Sequence, residues 1–253
     1  MPFEIAPFIV FTVVAVSCLI IGLSKGGLSP ALAVIIAPLL ALVMPVRQSL
    51  SLALPLLLIG DAFALYTYWK TWDIRYIRLL LPAAIVGIVV GALVLASLPD
   101  DAIRRLVGAF VLLFVVYKLL EQRLTRLRYQ PRDWHGIIAG WIAGTGSMVA
   151  NVGGPPYTIY MLLQNDVTPR SFTGTATLFF AIVNAVKLPF LGFANIFNAN
   201  DVLTYLWALP FIPLGVIIGR WMVTRIDRKT FDYVMLGALI ICAVVLLFVP
   251  PAT

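Results

Sequence analysis

Residues 145–161 read TGSMVANVGGPPYTIYM, and they interrupt an apolar stretch near its centre with Gly153-Gly154-Pro155-Pro156. Glycine weakens a helix interior, and proline removes the backbone donor and clashes with the preceding turn. In a bilayer such a break is tolerated only where protein or a wet cavity satisfies the freed backbone. A second apolar stretch is cut in the same way by GLSKGGLSP at 22–30. The two breaks decide how the rest of the chain is read.

The chain around them is a membrane chain. Of 253 residues, 62% are hydrophobic and 11% charged, against about 25% charged in an average soluble domain. The formal net charge of +7 lies in clusters between apolar runs, the pattern of topology determinants. Nucleic-acid binding would need a basic, aromatic-bearing soluble face, which the sequence does not offer. Cys18 and Cys242 fall inside apolar runs and read as small packing residues. The first apolar run has Glu4 where a signal peptide would be basic, and is expected to be retained.

Six stretches have about the length of a membrane-spanning helix: 49–69, 79–98, 103–120, 172–192, 202–223 and 231–249. The broken stretches are 7–44 and 134–163. The chain also repeats itself. DIRYIRLLLPAAIVGIVVG at 73–91 aligns with DVLTYLWALPFIPLGVIIG at 201–219, pairing Asp73 with Asp201, Pro82 with Pro210, Gly87 with Gly215 and Gly91 with Gly219. Upstream, Gly26-Gly27 pair with Gly153-Gly154, Arg47 with Arg170 and Asp61 with Asn184.

Charge then sets the orientation of the halves. The basic linker should be cytoplasmic, as should the loops bearing Lys70, Arg75 and Arg78 and bearing Arg225, Arg228 and Lys229. All three share a side only if 134–163 dips into the membrane and returns. Three full crossings per half then turn the second half upside down, and both termini lie outside. The expected fold is an all-α integral membrane protein of two inverted repeats, each a half-membrane helical hairpin plus three transmembrane helices. The first repeat is 1–120 (hairpin 7–44), the cytoplasmic linker 121–133, and the second repeat 134–253 (hairpin 134–163). Discontinuous helices meeting at the midplane are the plan of secondary transporters.

A helix that restarts after a break presents unpaired N–H groups and a partial positive charge, and so favours an anion. The candidate binding residues are Ser24, Lys25, Gly26, Gly27, Asn151, Gly153, Gly154, Asn184 and Lys187, with Asp61 as a candidate for coupling. Charges at mid-span are costly, which makes Lys25, Asp61 and Lys187 functional candidates; a structural pairing of Asp61 with either lysine stays open. Thr145, Ser147 and Thr158 are neutral polar neighbours of the second break. Gly87, Gly91, Gly215 and Gly219 have the spacing of close helix packing. His135 and Arg220 read as interfacial residues.

These motifs, GLSKGGLSP and GTGSMVANVGGPPYTIYMLLQND, together with the eight-segment hydropathy, resemble the TauE/SafE sulfite-exporter family over nearly the whole chain. The resemblance implies transport of sulfite, of organosulfonates such as sulfoacetate or taurine-related compounds, or of thiosulfate, in a bacterial inner membrane. A passive anion channel with the same lining stays open as an alternative, as does assembly into a homodimer. An intramembrane enzyme is disfavoured: one His, one mid-span carboxylate and two Cys supply neither a catalytic dyad nor a zinc site. No cofactor is expected.

Overall fold

A computed structural model describes residues 7–26, 30–124, 131–223, 225 and 228–249. Glu4, Gly27, Arg126 and Arg128 lie outside the described residues. Among those described, the secondary structure is helical throughout: α1 (Pro7–Lys25), a 3-10 segment (Pro30–Ile35), α2 (Ile36–Leu40), α3 (Val46–Thr67), α4 (Ile74–Ser97) and α5 (Asp100–Leu124). The second half supplies α6 (Asp133–Ala150), α7 (Gly154–Leu162), α8 (Pro169–Phe193), α9 (Ala199–Thr204), a 3-10 turn (Leu206–Ala208), α10 (Phe211–Val223) and α11 (Arg228–Phe248).

Side-chain caps set the starts of α4 and α8. Asp73 accepts from the Arg75 N–H, so α4 starts five residues before the apolar run at 79–98. Thr168 caps α8 through the Ser171 N–H, with Pro169 in the first turn. The expected span 202–223 is not continuous; it is divided into α9, the 3-10 turn and α10. Its repeat partner Pro82 lies inside an unbroken α4, but the second half carries Pro210 and Pro213 together. Two missing donors within one turn stop the helix where one does not.

The halves grip each other through small residues. On α4, Gly87 faces the Trp141 carbonyl and Gly91 the Met148 side chain of α6, while Gly140 and Gly144 of α6 face the Leu80 and Ala84 carbonyls of α4. The counterpart crossing is α1 on α10: Gly22 against Ile212, Gly215 against Leu19, and Gly219 against Leu23. A methyl group at these sites would run into backbone, except at Gly91, where it would meet the Met148 side chain. Close approach of this kind supplies packing between helices where lipid offers no hydrophobic drive. Outward faces carry Phe8, Leu93, Leu113, Ile217 and Phe248, all exposed, as lipid contact requires.

Polar contacts mark two ends of the bundle. At one, Arg47 pairs with Asp100 and Gln48 donates to Asp201 (3.0 Å), while Arg104 donates to the Ala41 carbonyl (3.0 Å) and the Val249 carbonyl (3.5 Å). At the other, Asp166 pairs with Arg75 and accepts from the Tyr76 hydroxyl (2.6 Å), and Arg220 donates to Thr67 (2.9 Å). Tyr160, late in α7, packs beside Gly136, early in α6. The α6–α7 hairpin therefore opens at the Asp166 end. The return arm of the first hairpin finishes at Ala41, at the Asp201 end.

Candidate functional site

The second break is shaped by its own residues. Asn151 follows α6 in the left-handed conformation (φ 57°), and its N–H bonds the Ser147 carbonyl (3.1 Å); Val152 N–H bonds Gly146 (3.0 Å). Asparagine is among the few residues that adopt this conformation readily. The chain folds back so tightly that a Cβ on Gly153 would lie 2.6 Å from the Ala143 carbonyl. A Cβ on Gly154 would meet nothing within 4 Å. Pro155 and Pro156 follow in the first turn of α7. Of the four leading groups left unpaired in a helix, two are prolines without a donor, so Gly153 and Gly154 carry the free N–H groups.

Lys187 of α8 secures this turn. Its Nζ donates to the Ser147 carbonyl (3.0 Å), the Ser147 hydroxyl (3.3 Å) and Asn151 Oδ1 (2.6 Å). Three acceptors match the three hydrogens of an ammonium, and the side chain is buried. One turn earlier on α8, Asn184 Nδ2 donates to Asp61 Oδ2 (2.7 Å), and the other oxygen of Asp61 pairs with Lys25 at the end of α1. A polar chain thus links the two hairpin tips: Lys25, Asp61 of α3, Asn184 and Lys187 of α8, then Asn151.

A cavity of about 460 Å³ meets this chain. Ser24, Lys25, Asn151, Gly154, Thr158 and Asn184 line its inner part. Phe172, Phe180, Tyr157 and Met161 form an apolar wall, and Tyr68, Lys118, Gln164 and Pro169 lie towards the Asp166 end. Apolar walls with a few convergent polar groups are the usual make-up of a small-ligand site.

The sequence candidates therefore divide. Ser24, Lys25, Asn151, Gly154 and Asn184 border the cavity together. Asp61 and Lys187 lie behind them, each 1% exposed. Gly153 packs on α6. Gly26 bonds the Gly22 carbonyl through its N–H (2.7 Å) and packs on α10, which leaves it a helix-packing role. Gly27 is outside the described residues. Thr145 bonds the Gly87 and Trp141 carbonyls within the α4–α6 crossing. Sequence reasoning did not single out the aromatic wall or the buried Arg104; Tyr157, immediately after the GGPP break, was the available signal.

Among the described residues, four helices are long and apolar enough to cross a membrane by length and composition: Pro7–Lys25, Val46–Thr67, Ile74–Ser97 and Pro169–Phe193. With broken helix tips around an internal cavity, these define a multi-pass membrane protein. The chain belongs to the sulfite exporter TauE/SafE family, whose model it matches over residues 14–246, a family of membrane transporters rather than enzymes. It is similar to the probable membrane transporter protein YtnM of Bacillus subtilis (strain 168), with 29% identity over 178 residues, 65% of this chain and 56% of that relative. The match thus spans little more than half of the relative's length. No solved structure gives a significant match.

Proposed function

We propose that the protein is a secondary transporter of a small sulfur-containing oxyanion, sulfite or an organosulfonate, in a bacterial inner membrane. The supporting observation is the convergence on one cavity of the α7 N-terminus at Gly154, the Lys25 ammonium and the amides of Asn151 and Asn184. Backbone N–H groups at a helix start, an ammonium and neutral amides are the donors an oxyanion needs. The sulfur rests on the family name alone. In this reading, 1–120 and 134–253 are inverted repeats whose hairpin tips meet at the midplane, with the basic linker in the cytoplasm.

The cavity reaches the tips from the Asp166 end, and its lining draws on none of Arg47, Gln48, Asp100 and Arg104 at the other. A channel would need a continuous wet path. One-sided access favours alternating exposure of the site, so a transporter is the better reading than a passive channel.

Thermal-shift binding of sulfite, sulfoacetate, taurine, thiosulfate, sulfate and chloride to the purified protein tests the site. A ligand of the native state raises its melting temperature. Gly154→Leu places a side chain into open space and is expected to fold, so it isolates the site from the scaffold. A sulfur oxyanion that stabilises the wild type but neither Gly154→Leu nor Lys25→Ala supports the reading. Equal responses in all three would place binding elsewhere.

A further inference from the structure

Asp61 stands where a substrate anion would be expected to act. Its two carboxylate oxygens occupy Lys25 and Asn184, and both of these donors border the cavity while Asp61 lies behind them. Lys187 has its three hydrogens on Ser147 and Asn151, so Lys25 is the cation left for a ligand at the inner end. An ionised Asp61 neutralises it.

We propose that Asp61 is a proton-coupling site: it takes up one proton when the anion binds and gives it back when the anion leaves. This rests on the anion-site reading above. A proton from the aqueous phase adds to a carboxylate oxygen, the ion pair with Lys25 opens, and the ammonium turns to the anion. The neutral carboxylic acid still accepts from Asn184 through its carbonyl oxygen. One proton and one monoanion move together, so the cycle is electroneutral. An anion arriving without the proton would place two negative charges against one lysine in a region where like charges interact strongly.

Other titratable groups stand around the cavity, Tyr68 at the end of α3 and Tyr117 of α5 among them. Lys187 on α8 faces Asp61 from one turn beyond Asn184. Tyr157 of α7 and Lys118 of α5 border the cavity farther out, Arg220 of α10 is bonded to Thr67, and Asp201 of α9 bonds Gln48 at the far end.

The test uses isethionate, a sulfonate that stays a monoanion throughout the pH range. Its Kd is measured from pH 5 to 9 on the purified wild type, Asp61→Asn and Asp61→Glu, with proton uptake followed by an indicator dye in weak buffer. The wild type should weaken about tenfold per pH unit above its midpoint, the slope for one linked proton, and take up one proton per anion. Asp61→Asn should bind without a pH slope, and Asp61→Glu should restore the slope at a shifted midpoint. Should Asp61→Asn not fold, the Asp61→Glu shift still assigns the proton to this side chain. Binding that is flat with pH and takes up no proton overturns the coupling but leaves the anion site standing, as does a slope that both variants share with the wild type. No binding to any form at any pH overturns the anion site, and the coupling with it.

Discussion

Asn184 donates to Asp61 at 2.7 Å, and these are the two positions that the internal repeat aligns with each other. Both hairpin tips reach the α3–α8 contact through a lysine. Lys25 arrives on the first tip; Lys187 reaches out from α8 to the second.

Lys187→Met should loosen the second tip. It leaves the Ser147 carbonyl and Asn151 Oδ1 without their donor, and a buried polar group deprived of its partner costs about 1–3 kcal/mol. The expected result is a lower melting temperature in detergent and loss of the ligand-induced shift. An unchanged melting temperature would show that the Asn151 turn holds by itself.

Gly144→Val should be far more damaging than Gly154→Val, though both replace a helical glycine near the same break. The first drives a side chain into the Ala84 carbonyl, whereas the second enters open space. Overpacking costs about 1–3 kcal/mol and sometimes more. Yield of monodisperse protein after extraction and its melting temperature separate the two.

The Arg75–Asp166–Tyr76 cluster should respond to acid. The Tyr76 hydroxyl first, and then the Arg75 guanidinium, hold the Asp166 carboxyl below its ordinary value of 3.8. A carboxyl depressed on folding adds stability above the unfolded value and loses it as pH falls through the folded one. Asp166→Asn should therefore melt below the wild type at neutral pH, and the gap should close as the pH is taken below 3.8. A gap that persists in acid would mean that the amide costs stability through shape rather than charge.

Topology can be read with reporters. Fusions after Val249 and within the loop near Asn198 should report the outside, and one near Arg225 the cytoplasm. Val249 and Asp201 share an end with Arg47 and Arg104, while Arg220 shares the other with Thr67. A cytoplasmic signal from the Val249 fusion would reverse the assignment of both ends.

Much of this was legible in the sequence because the informative residues are chemically unusual for their setting. Glycine pairs, prolines and lone charges stand out in an apolar chain, so the breaks, the repeat and Lys25, Asp61, Asn184 and Lys187 could be picked out. Which glycine does what could not. Gly26 and Gly154 look alike in sequence, yet one is pressed against α10 and the other faces open space, a difference made by partners distant in the chain. The division of 202–223 was missed because hydropathy sees apolar residues and not the donors that Pro210 and Pro213 lack. The pairing of Lys25 rather than Lys187 with Asp61 depends on how α1 meets α3, which no local pattern records.

The two glycine crossings also bear on how the protein is made. Each joins a helix of one half to a helix of the other, so α1 leaves the ribosome long before α10, the surface it is shaped to receive. Until then its small-residue face is bare in the lipid, open to any other helix with a matching groove. Membrane insertion and final assembly are therefore separate events here, and the first half remains an unfinished intermediate until the last helices arrive. A polypeptide ending after α5 should insert and then be degraded, and co-synthesis of the missing half should rescue it.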